Sequence, residues 1–339
     1  RILYTFSEEE KDFICRFAQE HADSLGKNEI EIQEMHNIVE GALEKVNPIV
    51  AKSYRDYRNY KQDFVQMLDE VYKKSQSIMY IGDKENSNTD SALVSTKRSL
   101  IFNELNKELY KKFFLTVEEL QAIREGYIYI HDMSARRDTM NCCLFDVKSV
   151  LTGGFEMGNL WYNEPKTLDT AFDVIGDIVL SAASQQYGGF TVPSVDEILE
   201  PYAKRSHENH LNKYRSLGLS EEVAQEIAWK DLEKEMEQGF QGWEYKFNSV
   251  SSSRGDYPFI TMTSGTDISE YGKLVTKTML EVRAGGQGKP GHKKPVLFPK
   301  IVFLYDENLH GPGKPGEDLF EAGIECSRKT MYPDWLSLT

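Results

Sequence analysis

Four cysteines in 339 residues, at positions 15, 142, 143 and 326, are too few and too unevenly spaced for a disulfide scaffold, and they form no pair of CxxC knuckles for structural zinc, so no metal site is expected. Long apolar runs are equally scarce. The longest, PVLFPKIVFLY, is broken by Lys and Pro and falls short of the roughly 18 residues a spanning helix needs, which argues against a membrane segment. The opening RILYTFSEEEKDF lacks a basic region followed by an apolar stretch and a small-residue cleavage site, so secretion has no support and the cytoplasm is the expected compartment. Positive charge is in deficit as well. Forty Lys and Arg against 54 Asp and Glu give a net charge of −14, which speaks against a surface built to coat nucleic acid, although free nucleotides need only a few local cations. No phosphate loop of the GxxxxGK[ST] type is present: GGQGKPG, residues 285 to 291, follows an expected helix and reads as a flexible loop. HENH, His207 to His210, does not match HExxH and reads as an exposed helix face.

What is present has ordinary globular balance, 40% hydrophobic and 28% charged, and suits two domains or one large α/β domain with an appendage. Residues 7–76 read as helical. Ser7 and Glu10 make a capping box, Ile32, Met35, Val39, Ala42 and Val46 keep one apolar face, and Pro48 stands where a first-turn proline is tolerated. Residues 82–97, rich in Asn, Ser and Asp, read as a connector. Beyond it, helices and strands alternate. Thr116 with Glu119 caps a helix to Gly126; YIYIHD and the stretch around RDTMNCCLFDVKSV read as strands; Thr167 to Tyr187 reads as a helix. Ser194 with Glu197 caps a further helix, and Ser220 opens another that runs to about Asn248. PFITMT and VLFPKIVFLY supply strands, with helices from about Ile268 to Arg283 and from about Asp318 to Met331. Such alternation predicts a parallel sheet with helices outside it.

The chemistry-bearing residues follow from that frame. Successive side chains on a strand point to opposite faces, so Cys142 and Cys143 cannot both enter one pocket if the segment is extended. A bond between neighbouring cysteines would also need distorted geometry, so they read as two separate thiols, each equally able to be a buried structural residue. His131 and Asp132 fall at the end of an expected strand. Lys166, Thr170, Asp173 and Asp177, at i, i+4, i+7 and i+11, make one polar helix face, which reads either as solvated or as a nucleotide-holding row.

YIHD, NCCLFD, SAASQQYGGF, GWEYKFNSVSSSRGDYPFITMT, VLFPKIVF and IECSRKTMYPDWLSL occur in this order and together resemble the anaerobic, class III ribonucleoside-triphosphate reductases over roughly residues 80–339. EIEIQEMHNIVEGALEKVNPIVAKSYRDYR resembles the later helices of the ATP-cone regulatory domain that precedes the enzyme, without the cone's opening hairpin. The resemblance implies an α/β fold, part of a ten-stranded α/β barrel of the ribonucleotide reductase and glycyl-radical enzyme type, preceded by a small all-helical ATP-cone remnant. It divides the chain into a partial cone over 1–61, a helical linker and connector over 62–90, and the N-terminal half of the barrel, with the dimer and effector helix, over 91–339.

The activity so implied is anaerobic reduction of ribonucleoside triphosphates to deoxyribonucleoside triphosphates by a glycyl/thiyl radical mechanism. Cys142 then matches the barrel cysteine that supplies a reducing thiol to ribose, Cys143 is its outward packing partner, and His131 is an active-site wall residue. Asn248, Ser252 and Arg254 are implied in substrate binding. Glu164, Lys166, Thr170 and Asp177 are implied in effector binding, Asp177 standing where relatives often carry Gln. ATP or dATP and dNTP effectors are implied, with a glycyl radical generated by an S-adenosylmethionine iron–sulfur activase, formate or a dithiol as reductant, and a homodimer. The radical-bearing cysteine loop and the glycyl-radical segment are not in this span, which is therefore expected not to turn over alone. A glycyl-radical lyase of the same barrel and a nonenzymatic nucleotide-sensing scaffold are the competing readings.

Overall fold

A computed structural model describes residues 4–81, 92–136 and 140–339. The chain divides into two compact units, Arg1–Gln76 and Ser77–Thr339. The first is all helical. Helix α1 (Glu8–Ser24) opens on the expected capping box: Ser7 Oγ accepts the Glu10 amide at 3.2 Å, and the Glu10 carboxylate accepts the Ser7 amide at 2.7 Å. Helix α2 (Ile32–Val46) packs on α1, and Lys45 lies 4.4 Å above the Phe17 ring. Pro48 is the first residue of α3 (Pro48–Ile81), where its missing N–H costs nothing. His36 on α2 meets the Tyr54 hydroxyl at 2.5 Å, and Arg58 pairs with Glu40 at 3.0 Å.

The second unit begins its described course with α4 (Val94–Phe114) and α5 (Val117–Arg124), the latter capped by Thr116 and Glu119 as the sequence predicts. The connector expected over 82–97 lies mostly outside the described residues, and its last four positions are already helical in α4. The strand expected at YIYIHD does not form. After the turn at Gly126, Tyr127 and Tyr129 are exposed and the segment makes no ladder among the described residues, then Asp132 in the left-handed region (φ 52°) leads into a single 3₁₀ turn, Met133–Ala135. β-forming side chains cannot hold a strand without a neighbour to pair with.

Next come β1 (Cys143–Leu144), α6 (Val147–Leu151), and a small antiparallel hairpin of β2 (Phe155–Met157) and β3 (Leu160–Tyr162). The alternation then settles into α7 (Leu168–Ser184), β4 (Phe190–Val192), α8 (Val195–Ser216), α9 (Glu221–Ser249), β5 (Ile260–Ser264) and α10 (Glu270–Gly285). β6 (Lys300–Tyr305), α11 (Glu307–His310), α12 (Glu317–Thr330) and β7 (Asp334–Ser337) complete it. β6 starts only after Pro299, because a proline has no amide to give a central ladder.

The five strands form one sheet in the order β1-β4-β5-β6-β7, and every pairing is parallel. The register puts Cys143, Phe190 and Ile260 side by side, then Met262 beside Ile301 and Ser264 beside Phe303. These residues make the face that the helices cover, and all but the buried Ser264 join one core with α7, α8, α9, α10 and α12. The alternate residues, Leu144, Thr191, Thr261, Thr263, Val302 and Leu304, form the other face, which stays partly or fully accessible. This is an α/β fold whose five parallel strands match half of the expected ten.

Helices α7 and α9 cross closely. Phe172 packs against Phe240 and Trp243 at ring-centroid distances of 5.0 and 4.6 Å, and the Trp243 indole donates to the Phe172 carbonyl at 2.7 Å. A Cβ at Gly239 would stand 2.2 Å from the Phe172 ring, so only glycine fits at the crossing. Below it, the fully buried Arg283 donates Nε to Glu244 at 2.8 Å and Nη2 to the Pro299 carbonyl at 2.6 Å, while Gln287 donates to the other Glu244 oxygen at 2.6 Å.

Two local readings of the sequence need correction. HENH is not an exposed face: His207 is half-buried, 2.8 Å from the Tyr271 hydroxyl, and His210 pairs with Glu235 at 2.9 Å, leaving only Glu208 and Asn209 outside. Burial lowers the His207 pKa from its ordinary value. Ser194 does not cap α8 with its side chain; it adopts φ 50°, and its amide donates to Thr263 Oγ1 at 2.8 Å. The carboxylate that closes this turn is Asp196, fully buried, whose Oδ2 accepts the amides of Gly265 and Asp267, each at 2.9 Å.

Candidate functional site

The paired cysteines lie at the edge of the sheet, where residues 140–145 run beside 186–191. Tyr187 and Gly188 donate to the carbonyls of Met140 and Asn141, and Cys143 and Phe145 donate to those of Gly189 and Thr191. This ladder fixes the segment as extended, so the two thiols diverge. Cys142 is exposed and alternates with Leu144 on the helix-free side. Cys143 is half-buried, packs against the core, and donates its S–H to Gln186 Oε1 at 3.0 Å. Burial pushes the Cys143 thiol above its ordinary pKa.

Close approach of the backbone places Cys142. A Cβ at Gly188 would lie 2.8 Å from Cys142 Sγ and 2.6 Å from the Asn141 carbonyl, so the glycine leaves the room in which that sulfur sits. His131 is well exposed and its Nδ1 pairs with Asp132 at 2.6 Å. It lines a cavity of about 420 Å³ with Lys107, Lys111, Tyr129, Ser134 and Tyr187.

The loop after α9 is tightly organised. Ser252 bonds Asp256 through side chain and amide, and Arg254 spans from the Gln186 carbonyl, at 2.6 Å, to Asp256, at 3.0 Å. Its Nε has no hydrogen-bond partner. Helix α4 braces the loop: Thr96 donates to the Gly255 carbonyl at 3.1 Å, and Gly255 (φ 86°) has the Thr96 backbone where a Cβ would be. A small cleft of about 70 Å³ lies between Ser252, Arg254 and Asp256 on one side and Gln186, Tyr187 and Gly188 on the other. Asn248 does not reach it. Its amide donates to the Phe298 carbonyl at 2.6 Å and accepts the Phe298 amide at 3.1 Å, clamping the approach to β6.

The α7 residues form a separate group. Glu164 accepts the Gly153 amide at 3.0 Å and pairs with Arg205 at 3.3 Å, and these contacts, the Gly153 amide foremost, hold its carboxyl below the usual range. Lys166 is exposed, and the Thr170 hydroxyl meets that of Thr167 at 2.9 Å. Asp173 and Asp177 face Lys246 of α9 at 3.9 and 3.7 Å. The first turn of α7 rests on Glu235, which accepts the Asp169 amide at 2.9 Å and the Ser206 hydroxyl at 3.0 Å; Ser206 in turn accepts the Leu168 amide at 2.9 Å.

The structure thus brings Cys142, Ser252 and Arg254 to one end of the sheet, joined through Gln186 and Gly188. Thr170, Asp173 and Asp177 lie on α7, whereas Lys166, expected on the same helix row, and Glu164 stand in the segment before its first turn. Sequence reasoning missed Gln186, Arg205, Glu235 and Lys246. Only SAASQQYGGF carried a hint, since two glycines directly after a helix mark a place where another backbone comes close. Among the described residues, no group of three or more His, Cys, Asp or Glu could hold a metal ion, and no helix is long and apolar enough to cross a membrane.

The family model described as anaerobic ribonucleoside-triphosphate reductase matches residues 85–339. Proteins so named from Haemophilus influenzae and Escherichia coli are 32% and 31% identical over 92% of this chain, and one from Enterobacteria phage T4 is 34% identical over 75% of it. The chain spans 45%, 44% and 42% of those proteins, under half of each. Two crystal structures of the anaerobic ribonucleotide reductase from Thermotoga maritima, with citrate and with glycerol in the active site, share the fold at a TM-score of 0.51 and 15% identity. They cover 99% of this chain and correspond to 56% and 51% of the solved chains. The chain belongs to the anaerobic ribonucleoside-triphosphate reductase family.

Proposed function

We propose that this chain is the part of an anaerobic ribonucleoside-triphosphate reductase that presents the reducing thiol and reads the effector nucleotide. The observation that carries the reading is the division of two neighbouring thiols between the two faces of the sheet. Cys142 sits on the face free of helices, where a ribose could approach, and Cys143 is tied to the helix side. A thiol suits hydrogen donation because the S–H form dominates near neutral pH for a group whose free pKa is about 8.5. A glycyl radical, made by an S-adenosylmethionine iron–sulfur activase, supplies the oxidising equivalent that starts the reaction, and formate or a dithiol restores the reductant.

What this chain contributes is placement. Gly188 leaves space for the Cys142 sulfur, and Arg254, held by the Gln186 carbonyl and Asp256, lines the cleft beside it with a positive charge suited to an anionic group. Ser252 stiffens that loop through Asp256, and His131 stands at the cavity wall on the other side of Tyr187. Lys166 and Lys246 supply the cations, and Thr167 and Thr170 the hydroxyls, of a row suited to a dNTP effector on α7 in a homodimer. Residues 1–61 of the helical first unit carry the later helices of an ATP-binding cone. A glycyl-radical lyase in which both thiols serve one cavity is disfavoured by the Cys143 bond to Gln186 on the helix side.

The test is turnover of the full-length protein with its activase. Cys142→Ala should abolish deoxynucleotide formation, and Cys143→Ala should leave chemistry intact at a stability cost of about 1 kcal/mol. Equal loss in both variants, with folding preserved, would overturn the assignment.

A further inference from the structure

Gln186 follows α7 and is buried, and its amide oxygen, amide nitrogen and backbone carbonyl are each engaged in a different direction. Its Oε1 accepts the Cys143 thiol at 3.0 Å, its Nε2 donates to the Gly189 carbonyl at 3.1 Å, and its own carbonyl accepts Arg254 at 2.6 Å. The Gly189 carbonyl also accepts the Cys143 amide at 3.1 Å. One side chain therefore grips the sulfur of Cys143 and the ladder position beside its backbone, while the loop that carries Ser252 and Asp256 grips Gln186 from behind.

We propose that Gln186 is a positioning residue: by holding the Cys143 thiol as a donor on the helix side, it keeps the neighbouring sulfur of Cys142 on the open face and the two thiols apart. The inference rests on the reading of Cys142 as the reducing thiol, and it adds a residue that does not touch substrate. The physical argument is the pleat. With Cys143 Sγ fixed inward and the residues on both sides laddered to 187–191, a rotation that turned Cys143 outward would break the sulfur bond and the Cys143 amide bond together. A buried amide oxygen left without its donor is also costly, which makes the arrangement self-holding. Arg254 adds the coupling: a change in its loop acts directly on the peptide group of Gln186.

Iodoacetamide labelling of the full-length protein, resolved cysteine by cysteine by peptide mass spectrometry, tests this without turnover. The exposed Cys142 should react quickly, Cys143 slowly, and the buried Cys326 least, which makes Cys326 an internal gauge of folding. Gln186→Leu keeps the bulk and removes the acceptor. It should speed Cys143 labelling roughly tenfold, the factor expected from losing one buried hydrogen bond, while Cys326 stays protected. Gln186→Glu restores an acceptor and should return Cys143 to within about twofold of its original rate. Unchanged Cys143 labelling in Gln186→Leu would overturn the proposal. Should that variant open Cys326 as well, Gln186→Glu decides: slow Cys143 with protected Cys326 supports the role, and fast Cys143 with protected Cys326 refutes it. Absence of ribonucleotide reduction by the full-length protein would sink the functional reading and leave this labelling pattern standing.

Discussion

Replacing Glu244 by Ala should be among the most damaging single changes in the second unit. Glu244 is 4% exposed and Arg283 0%, so among the described residues the carboxylate is the one countercharge bonded to a guanidinium that water cannot reach. Removing it strands Arg283 Nε and the Gln287 amide at once, and Arg283 Nη1 already has no partner. Breaking a buried ion pair from one side costs about 3–5 kcal/mol. At an m-value of roughly 2–3 kcal/mol/M, that is a fall of about 1–2.5 M in the urea midpoint. The neighbouring Trp243, buried against Phe172, gives the fluorescence signal. The double replacement Glu244→Leu with Arg283→Met removes both charges and should recover most of the loss, because apolar packing of similar volume replaces a desolvated pair at little cost. A loss below about 1 kcal/mol in Glu244→Ala, or a double variant no better than the single, would show that the charges are not buried in the way the argument requires.

Gly188→Ala should displace Cys142, since its Cβ would sit 2.8 Å from that sulfur. Turnover of the full-length protein should fall at least tenfold while the fold loses only about 1–3 kcal/mol, and unchanged turnover would refute the packing argument. Glu235→Ala should loosen the first turn of α7 by about 2 kcal/mol, read as faster amide hydrogen exchange at residues 168–171 with little change in α12. Asp196 has its pKa raised by burial, against the opposing pull of the Asp267 and Gly265 amides. A raised carboxyl binds its proton more tightly when folded, so its contribution is fullest below the ordinary Asp value near 4 and fades as pH rises through the folded value. Asp196→Asn should therefore flatten the decline in stability as pH rises above the ordinary Asp value near 4, and a parallel pH profile for both proteins would exclude the effect.

Much of the fold could be read from local pattern because its signals are local. Capping boxes at Ser7 and Thr116, the apolar alternation of Ile260 and Met262, and the helical stretches around α7 to α10 each declare themselves within one or two turns. The pairing partners do not. β4 is three residues long and β1 two, too short for periodicity to register, and YIYIHD has the composition of a strand without a ladder to join. The candidate site divides the same way. Cys142 and Arg254 could be picked out by residue type and motif, whereas Gln186 and Glu235 matter through partners 43 and 66 residues away, a relation no window along the chain reveals. Asn248 stands in a motif of functional character, and what the motif does not reveal is that its amide is bonded to the Phe298 backbone 50 residues away.

The crossing at Gly239 has a mechanical result. With the Phe172 ring filling the notch and the Trp243 indole hooked on the carbonyl of the same residue, α7 can neither slide nor roll without dragging α9 along. Since α9 ends on the Asn248 clamp and carries the partner of the buried arginine, the same crossing is tied by side-chain bonds to Phe298 and Pro299, the two residues that lead into β6.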